Sequence, residues 1–236
     1  MLIRFEHIYK QFGTLKVLDD LSFDCSKGGM LTILGPNGSG KTTVLKSILG
    51  MVIPDSGSIS ISGYQLNGAA NYRNEIDYLP QIARFPENLL VNELISFIKK
   101  LRNRPTRDKE LIELFMLEPF LYKKLSNLSG GTRQKINLVL AFMFDSPLIV
   151  LDEPTTGLDP NALLHLKSFI KQEKARGKTL IVTSHIMSFV EELSDEVAFI
   201  LDGTLYFKGT IDELKTQTEQ TNLERAVASI LEAELA

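Results

Sequence analysis

Four short apolar runs, MLTILG (30–35), LIVLD (148–152), TLIVTS (179–184) and VAFILD (197–202), set the organisation of this chain. They read as buried strands. With helical patterns between them, they predict a parallel sheet covered on both faces, an α/β fold. Residues 2–27 add a strand, turn and strand. LIRFEHIYKQF alternates in part, Gly13 breaks the pattern and VLDDLSFDC resumes it. SGSISISG (56–63) is a further alternating strand bounded by glycines.

Residues 82–147 differ in texture. VNELISFIKKLR places Leu94, Ile95, Ile98 and Leu101 on one helical face, Pro105 breaks that helix, and RDKELIELFML starts another. One domain is expected over 1–236, with a core of 1–81 and 148–215 and a helical subdomain of 82–147 inserted between its halves. The tail, 216–236, holds Leu223, Val227, Ile230, Leu231 and Leu235 at helical spacing and is expected to pack as a terminal helix.

A chain of 236 residues, 44% apolar and 23% charged, is long enough to bury a sizeable core. Its net charge of −3 provides no basic field, which argues against nucleic acid as a partner. Cys25 is the single cysteine, so no internal disulfide forms; it reads as a strand residue in a reducing compartment. The longest near-apolar run, INLVLAFMF, includes Asn137 and falls far short of a membrane span. MLIRFEHIYK does not resemble a signal peptide, so a cytosolic protein is expected.

GPNGSGKT, Gly35 to Thr42, follows one apolar strand and leads into VLKSIL, a helix pattern. A glycine-rich loop between strand and helix is a phosphate cradle, because its backbone wraps the phosphates and helix-start N–H groups point at them. Gly35, Pro36, Asn37, Gly38, Ser39 and Gly40 form the wrap, with Thr43 following. Lys41 supplies charge to the β- and γ-phosphates, and the Thr42 hydroxyl is a ligand for Mg²⁺. LIVLDEP ends a strand in two carboxylates: Asp152 suits Mg²⁺, and Glu153 suits a base that deprotonates an attacking water. His185, closing TLIVTSH, suits a γ-phosphate sensor or a plain polar cap on a strand end. A second anion cradle stands at LSGGTRQK, where Ser129, Gly130 and Gly131 introduce a helix-forming run.

The order GPNGSGKT, YLPQ, LSGGTRQK, LIVLDEP, TTGLD and SH resembles the ATP-binding cassette (ABC) ATPases over residues 2 to about 215. The resemblance implies a P-loop NTPase with a mixed sheet, antiparallel N-terminal strands beside a parallel core. It implies a homodimer formed on ATP binding, in which Ser129, Gly130, Gly131 and Asp159 of one copy meet the ATP held by the other. It also implies that Gln81 reaches Mg²⁺ and that Phe12 stacks on adenine; a plain strand-end aromatic is the other reading of Phe12.

Cassettes of this family that lack a membrane span usually serve a separate integral membrane permease. The ending TTGLDP–SH–VEEL–LDGTLYFKGT resembles cassettes that pair with ABC-2-type permeases, which implies an exporter held on the inner face of the cell membrane. Within that group the chain is most similar to the ATPases of a copper-linked system that matures nitrous oxide reductase. The other class is a soluble, non-transport ABC ATPase, for example in iron–sulfur assembly. Arg84, Phe85 and Pro86 correspond to a permease-binding groove, though a Phe-Pro pair equally suits a hydrophobic staple. KKLRNRPTRDK (99–109) has six basic residues and one acid, and reads as a solvated face or as a surface turned to anionic lipid.

Overall fold

The computed structural model describes residues 2–66 and 71–234. The apolar runs become the middle of a six-stranded sheet. Strands β3 (Gly29–Leu34), β7 (Leu148–Asp152) and β8 (Thr179–Thr183) are covered on both faces, which is why they lack alternation. With β6 (Ile76–Leu79), β9 (Glu196–Leu201) and β10 (Thr204–Gly209) the order is β10-β9-β3-β8-β7-β6. All pairings are parallel except β10 on β9. The alternating N-terminal segments form a separate antiparallel sheet of β1 (Ile3–Phe12), β2 (Leu15–Cys25), β4 (Ser56–Ile61) and β5 (Tyr64–Gln65), ordered β2-β1-β4-β5.

Helix α1 (Lys41–Ile48) lies between the two sheets. Its Val44, Leu45 and Ile48 pack in one cluster with Phe5 and Leu21 of the antiparallel sheet and Ile33, Val150 and Ile181 of the parallel one. The helix that starts at the phosphate loop is thus clamped from both sides, so the loop before it has a fixed base.

Residues 82–147 hold α2 (Val91–Arg102), α3 (Asp108–Leu114) and α4 (Gly130–Phe142). Leu94 and Ile95 of α2 are buried as expected, but Leu101 is 71% exposed. The helix stops at Asn103, which turns left-handed at φ 45°, and its last turn runs beyond the apolar cluster. Ile136, Val139 and Phe142 of α4 share that cluster with Ile149 and Leu151 of β7, so helices and sheet have one continuous core.

The basic stretch is largely tied down. Lys99 pairs with Asp108 at 2.8 Å, Arg102 with buried Asp77 at 2.7 Å and Arg107 with buried Glu173 at 2.6 Å. Arg102 and Arg107 thus turn to buried acids, while Lys99 stays partly exposed and Lys100 and Lys109 are exposed. The longer helix α5 (Pro160–Ala175), with α6 (Met187–Leu193), covers the same face of the sheet.

The tail forms α7 (Ile211–Gln217) and α8 (Leu223–Glu234). Leu223 and Ile230 are buried against Val197 and Phe199, with Val227 and Leu231 partly covered; Leu235 lies outside the described residues. Cys25 is buried at the end of β2, and burial pushes its thiol up to about 12, so it stays protonated and unreactive at neutral pH.

Candidate active site

The loop between β3 and α1 is shaped by its own backbone. Gly40, which caps α1, has φ 102°, and a Cβ there would stand 2.8 Å from a Leu18 methyl and 2.9 Å from the Val17 carbonyl oxygen. No other residue fits so close an approach of loop to strand. No side chain caps the N-terminus of α1, which leaves its first amides directed at the cavity outside. Lys41 Nζ lies along the loop and donates to the carbonyls of Gly35 and Pro36, both at 2.8 Å. Burial lowers the Lys41 pKa from its ordinary value, opposed by the nearby carboxylates of Glu153 and Asp152.

The end of β7 brings in the carboxylates. Asp152 is buried, and both its oxygens are engaged: Thr42 Oγ1 donates to Oδ2 at 3.2 Å and Thr183 Oγ1 to Oδ1 at 2.6 Å. At the next residue the chain leaves the sheet, and Glu153 takes φ 52°, an uncommon conformation for a residue with a side chain. Its Oε2 lies 2.7 Å from His185 Nδ1, joining a carboxylate that is 9% exposed to an imidazole that is 71% exposed.

These groups meet at one cavity of about 490 Å³, lined by the loop residues Asn37, Gly38 and Gly40 to Thr43 together with Gln81, Asp152 and Glu153. The remaining lining residues are Leu15 and Val17. Phe12 is not among them. It is 49% exposed, pairs across the hairpin with Leu15, and has Lys10 Nζ 5.2 Å from its ring. Leu15, Val17 and Thr183 are the site residues that sequence reasoning missed. The first two had a usable signal, since the turn at Gly13 folds them back over the loop.

The residues suit ATP and Mg²⁺. Ser39 Oγ is buried inside the loop beside Gly35 with no hydrogen-bond partner among the described residues, a donor left over for a ligand of the loop. Hydroxyl, amide oxygen and carboxylate from Thr42, Gln81 and Asp152 make an all-oxygen donor set of few charges, which matches Mg²⁺. Among the described residues no group of three or more His, Cys, Asp or Glu could hold a softer metal.

Ser129, Gly130, Gly131 and Asp159 line no part of this cavity. Ser129 caps α4, its Oγ accepting from the Thr132 amide at 3.2 Å and lying 2.9 Å from the Thr132 hydroxyl. Thr132 therefore completes this cap. Three contacts fasten the start of α4 to the loop after Glu153. A Cβ on Gly131 would be 2.8 Å from the Gly157 carbonyl oxygen. Gln134 Nε2 donates to the Pro154 carbonyl at 3.2 Å, and Lys135 pairs with Asp159 at 2.7 Å. Asp159 also caps α5 by accepting from the Ala162 amide, and Lys135 first, then that amide, holds its carboxyl below the usual range.

A family model described as ABC transporter matches residues 18–156, more than half of the chain. The Nod factor export ATP-binding protein I of Burkholderia lata is 35% identical over 213 residues, covering 88% of this chain and 70% of that protein. The linearmycin resistance ATP-binding protein LnrL of Bacillus subtilis is 34% identical, covering 98% and 77%. Among solved structures, an ATP-binding subunit of an ABC transporter matches with a TM-score of 0.90 at 29% identity, over 98% of this chain and all of that one. A nucleotide-free ATP-binding cassette from an ABC transporter matches with a TM-score of 0.76 at 25% identity, over 91% and 94%. Together with the loop, the two carboxylates and the capped glycine pair, these matches establish that the chain belongs to the ABC transporter family, as one of its ATP-binding cassettes.

Proposed function

We propose that this ATPase is the energy-coupling subunit of an ABC-2-type exporter, closing with a second copy around two ATP molecules and driving a separate integral membrane permease. The observation that carries the hydrolytic part is Glu153, which lines the cavity beside the phosphate loop and is held by His185, itself outside that lining. The transport part is supported by relatives named for export and for resistance, and these give the soluble, non-transport class no support. No helix among the described residues is long and apolar enough to cross a membrane, so attachment to the membrane is assigned to the permease.

Each residue has a definite task. Lys41 exchanges the Gly35 and Pro36 carbonyls for phosphate oxygens, a trade of neutral for charged acceptors that strengthens both bonds. Amides from Gly38 to Thr43 and the Ser39 hydroxyl complete the cradle. Mg²⁺, held by Thr42, Gln81 and Asp152, supplies neutralisation of the phosphate charge. Glu153 takes the proton of the attacking water, a contribution of about 10²–10⁴ in rate. His185 keeps the Glu153 carboxylate oriented and offers its second ring nitrogen to the γ-phosphate. Leu15 and Val17 provide the adenine side of the cavity, and Phe12, paired with Leu15 across the hairpin but outside the lining, stacks on the base from beyond its rim. The Gly130 and Gly131 amides, at the start of a 13-residue helix, meet the γ-phosphate bound by the other copy, and Asp159 lies beside that junction.

The permease docks at exposed Ile82, Arg84 and Pro86, while Phe85 turns inward against the helical core as a staple. The test is capture of tagged Glu153→Gln protein with ATP from detergent-solubilised cells. A stoichiometric integral membrane protein is expected, and its identity also tests the narrower resemblance to nitrous oxide reductase maturation. Recovery of soluble assembly proteins alone would overturn the transport reading.

A further inference from the structure

The hydroxyl of Thr183 stands between the two acidic residues of the site. Thr183 ends β8 directly opposite Asp152 in the parallel register and is fully buried. Its Oγ1 donates to Asp152 Oδ1 at 2.6 Å and accepts from the Glu153 amide at 3.0 Å. The Thr183 carbonyl also lies 3.2 Å from that amide, the longer of the two contacts. One side chain therefore touches the carboxylate of one residue and the backbone of the next.

We propose that Thr183 is a positioning residue for the hydrolytic site, setting the Asp152 carboxylate plane and the left-handed turn of Glu153 in a single action. The inference rests on the reading of Asp152 as the Mg²⁺ carboxylate. Thr42 takes one Asp152 oxygen from the loop side and Thr183 the other from the sheet side. With both oxygens held, the carboxylate does not rotate, and it presents the same edge to a cation each time. The second half of the role concerns Glu153. At φ 52° Glu153 turns the chain out of the strand, while its amide stays on the Thr183 carbonyl at 3.2 Å and finds the shorter of its two acceptors in the Thr183 hydroxyl at 3.0 Å. The turn that aims the Glu153 side chain at His185 is thereby fixed to the same atom. Removing partners that orient a metal ligand typically costs about 10–100-fold in metal affinity or activity.

Thr183→Val keeps the branched shape and deletes the hydroxyl. The Mg²⁺ concentration for half-maximal ATPase activity is expected to rise by about tenfold or more, and turnover to fall by a similar factor. A fluorescent ATP analogue should bind the variant with unchanged affinity in EDTA and lose most of the gain that Mg²⁺ gives the parent. Thr183→Ser, which keeps the hydroxyl, restores both readings. If the valine variant does not fold, Thr183→Ala has the same expectations. A hydroxyl-less variant with the parent's Mg²⁺ requirement and the parent's binding gain overturns the proposal, whatever its melting temperature. Asp152→Asn separates the two claims. If it too keeps the full Mg²⁺ gain, the assignment of Asp152 is wrong; if it loses the gain while Thr183→Val keeps it, only the role of Thr183 fails.

Discussion

Lys41 sits in an arrangement that is stable only until a better acceptor arrives. Its ammonium is partly desolvated, and burial already lowers its pKa, so two backbone carbonyls are a modest return for a buried charge. Lys41→Ala is expected to weaken ATP binding by at least about tenfold, since a hydrogen bond to a charged group contributes roughly 1.5–3 kcal/mol. Titration with a fluorescent ATP analogue checks this, and unchanged affinity would remove Lys41 from the site. Lys41, Thr42, Asp152 and Glu153 were legible in the sequence because each belongs to a local run whose context, strand then loop or strand then turn, limits what it can do. Thr183 was not. Its role depends on which strand lies beside which, and no local pattern states that β8 is the neighbour of β7.

At the scale of elements, buried ion pairs join the helical region to the sheet layer. Glu173 of α5 is buried among Arg107 from the start of α3, Arg176 and Lys178, with contacts from 2.5 to 3.0 Å. Burial pushes its carboxyl upward, but the hydrogen bonds and charges of Arg107 and Lys178 outweigh this, so it sits below the ordinary value of 4.5. A carboxyl with a depressed folded pKa stabilises the fold fully above its unfolded value and loses that contribution as pH falls through the folded one. Thermal stability should therefore decline below about pH 4.5. Glu173→Gln is expected to cost about 3–5 kcal/mol at neutral pH by leaving buried cations uncompensated, and to flatten the acid decline. Urea unfolding at pH 7 and melting curves between pH 7 and 3 measure both effects; a variant as stable as the parent would show that the network adds nothing.

The same pairs show what a charge count over 99–109 leaves out: it records how many cations are present and not which buried acids await Lys99, Arg102 and Arg107, while Lys100 and Lys109 stay exposed. β10 escaped notice for a related reason. It is a half-wet edge strand, and its alternation, in six residues, is short and interrupted. Leu101 shows the reverse error, a periodic residue continued past the end of the surface that its helix covers.

For the whole molecule, the question is whether two copies meet as proposed. With ATP, Glu153→Gln should elute at twice the monomer mass, because the ligand that joins the copies is bound and not consumed. Ser129→Arg should leave ATP binding by the monomer intact and abolish the doubled mass, since a large cation then fills the space before the α4 amides. A Ser129→Arg protein that still dimerises would place the second cradle elsewhere.

The fastening of α4 to the loop after β7 has a further consequence for such a pair. Gly131 rests on the Gly157 carbonyl, Gln134 holds the Pro154 carbonyl and Lys135 holds Asp159, so the segment that leaves Glu153 ends against the glycine cap proposed to meet a second copy's nucleotide. In the proposed dimer, a shift at one Glu153 would have only a few residues of backbone to cross before it disturbed the grip on the other ATP. Each half of such a pair would hear its twin's chemistry through its own chain, and the two nucleotides would have reason to take turns.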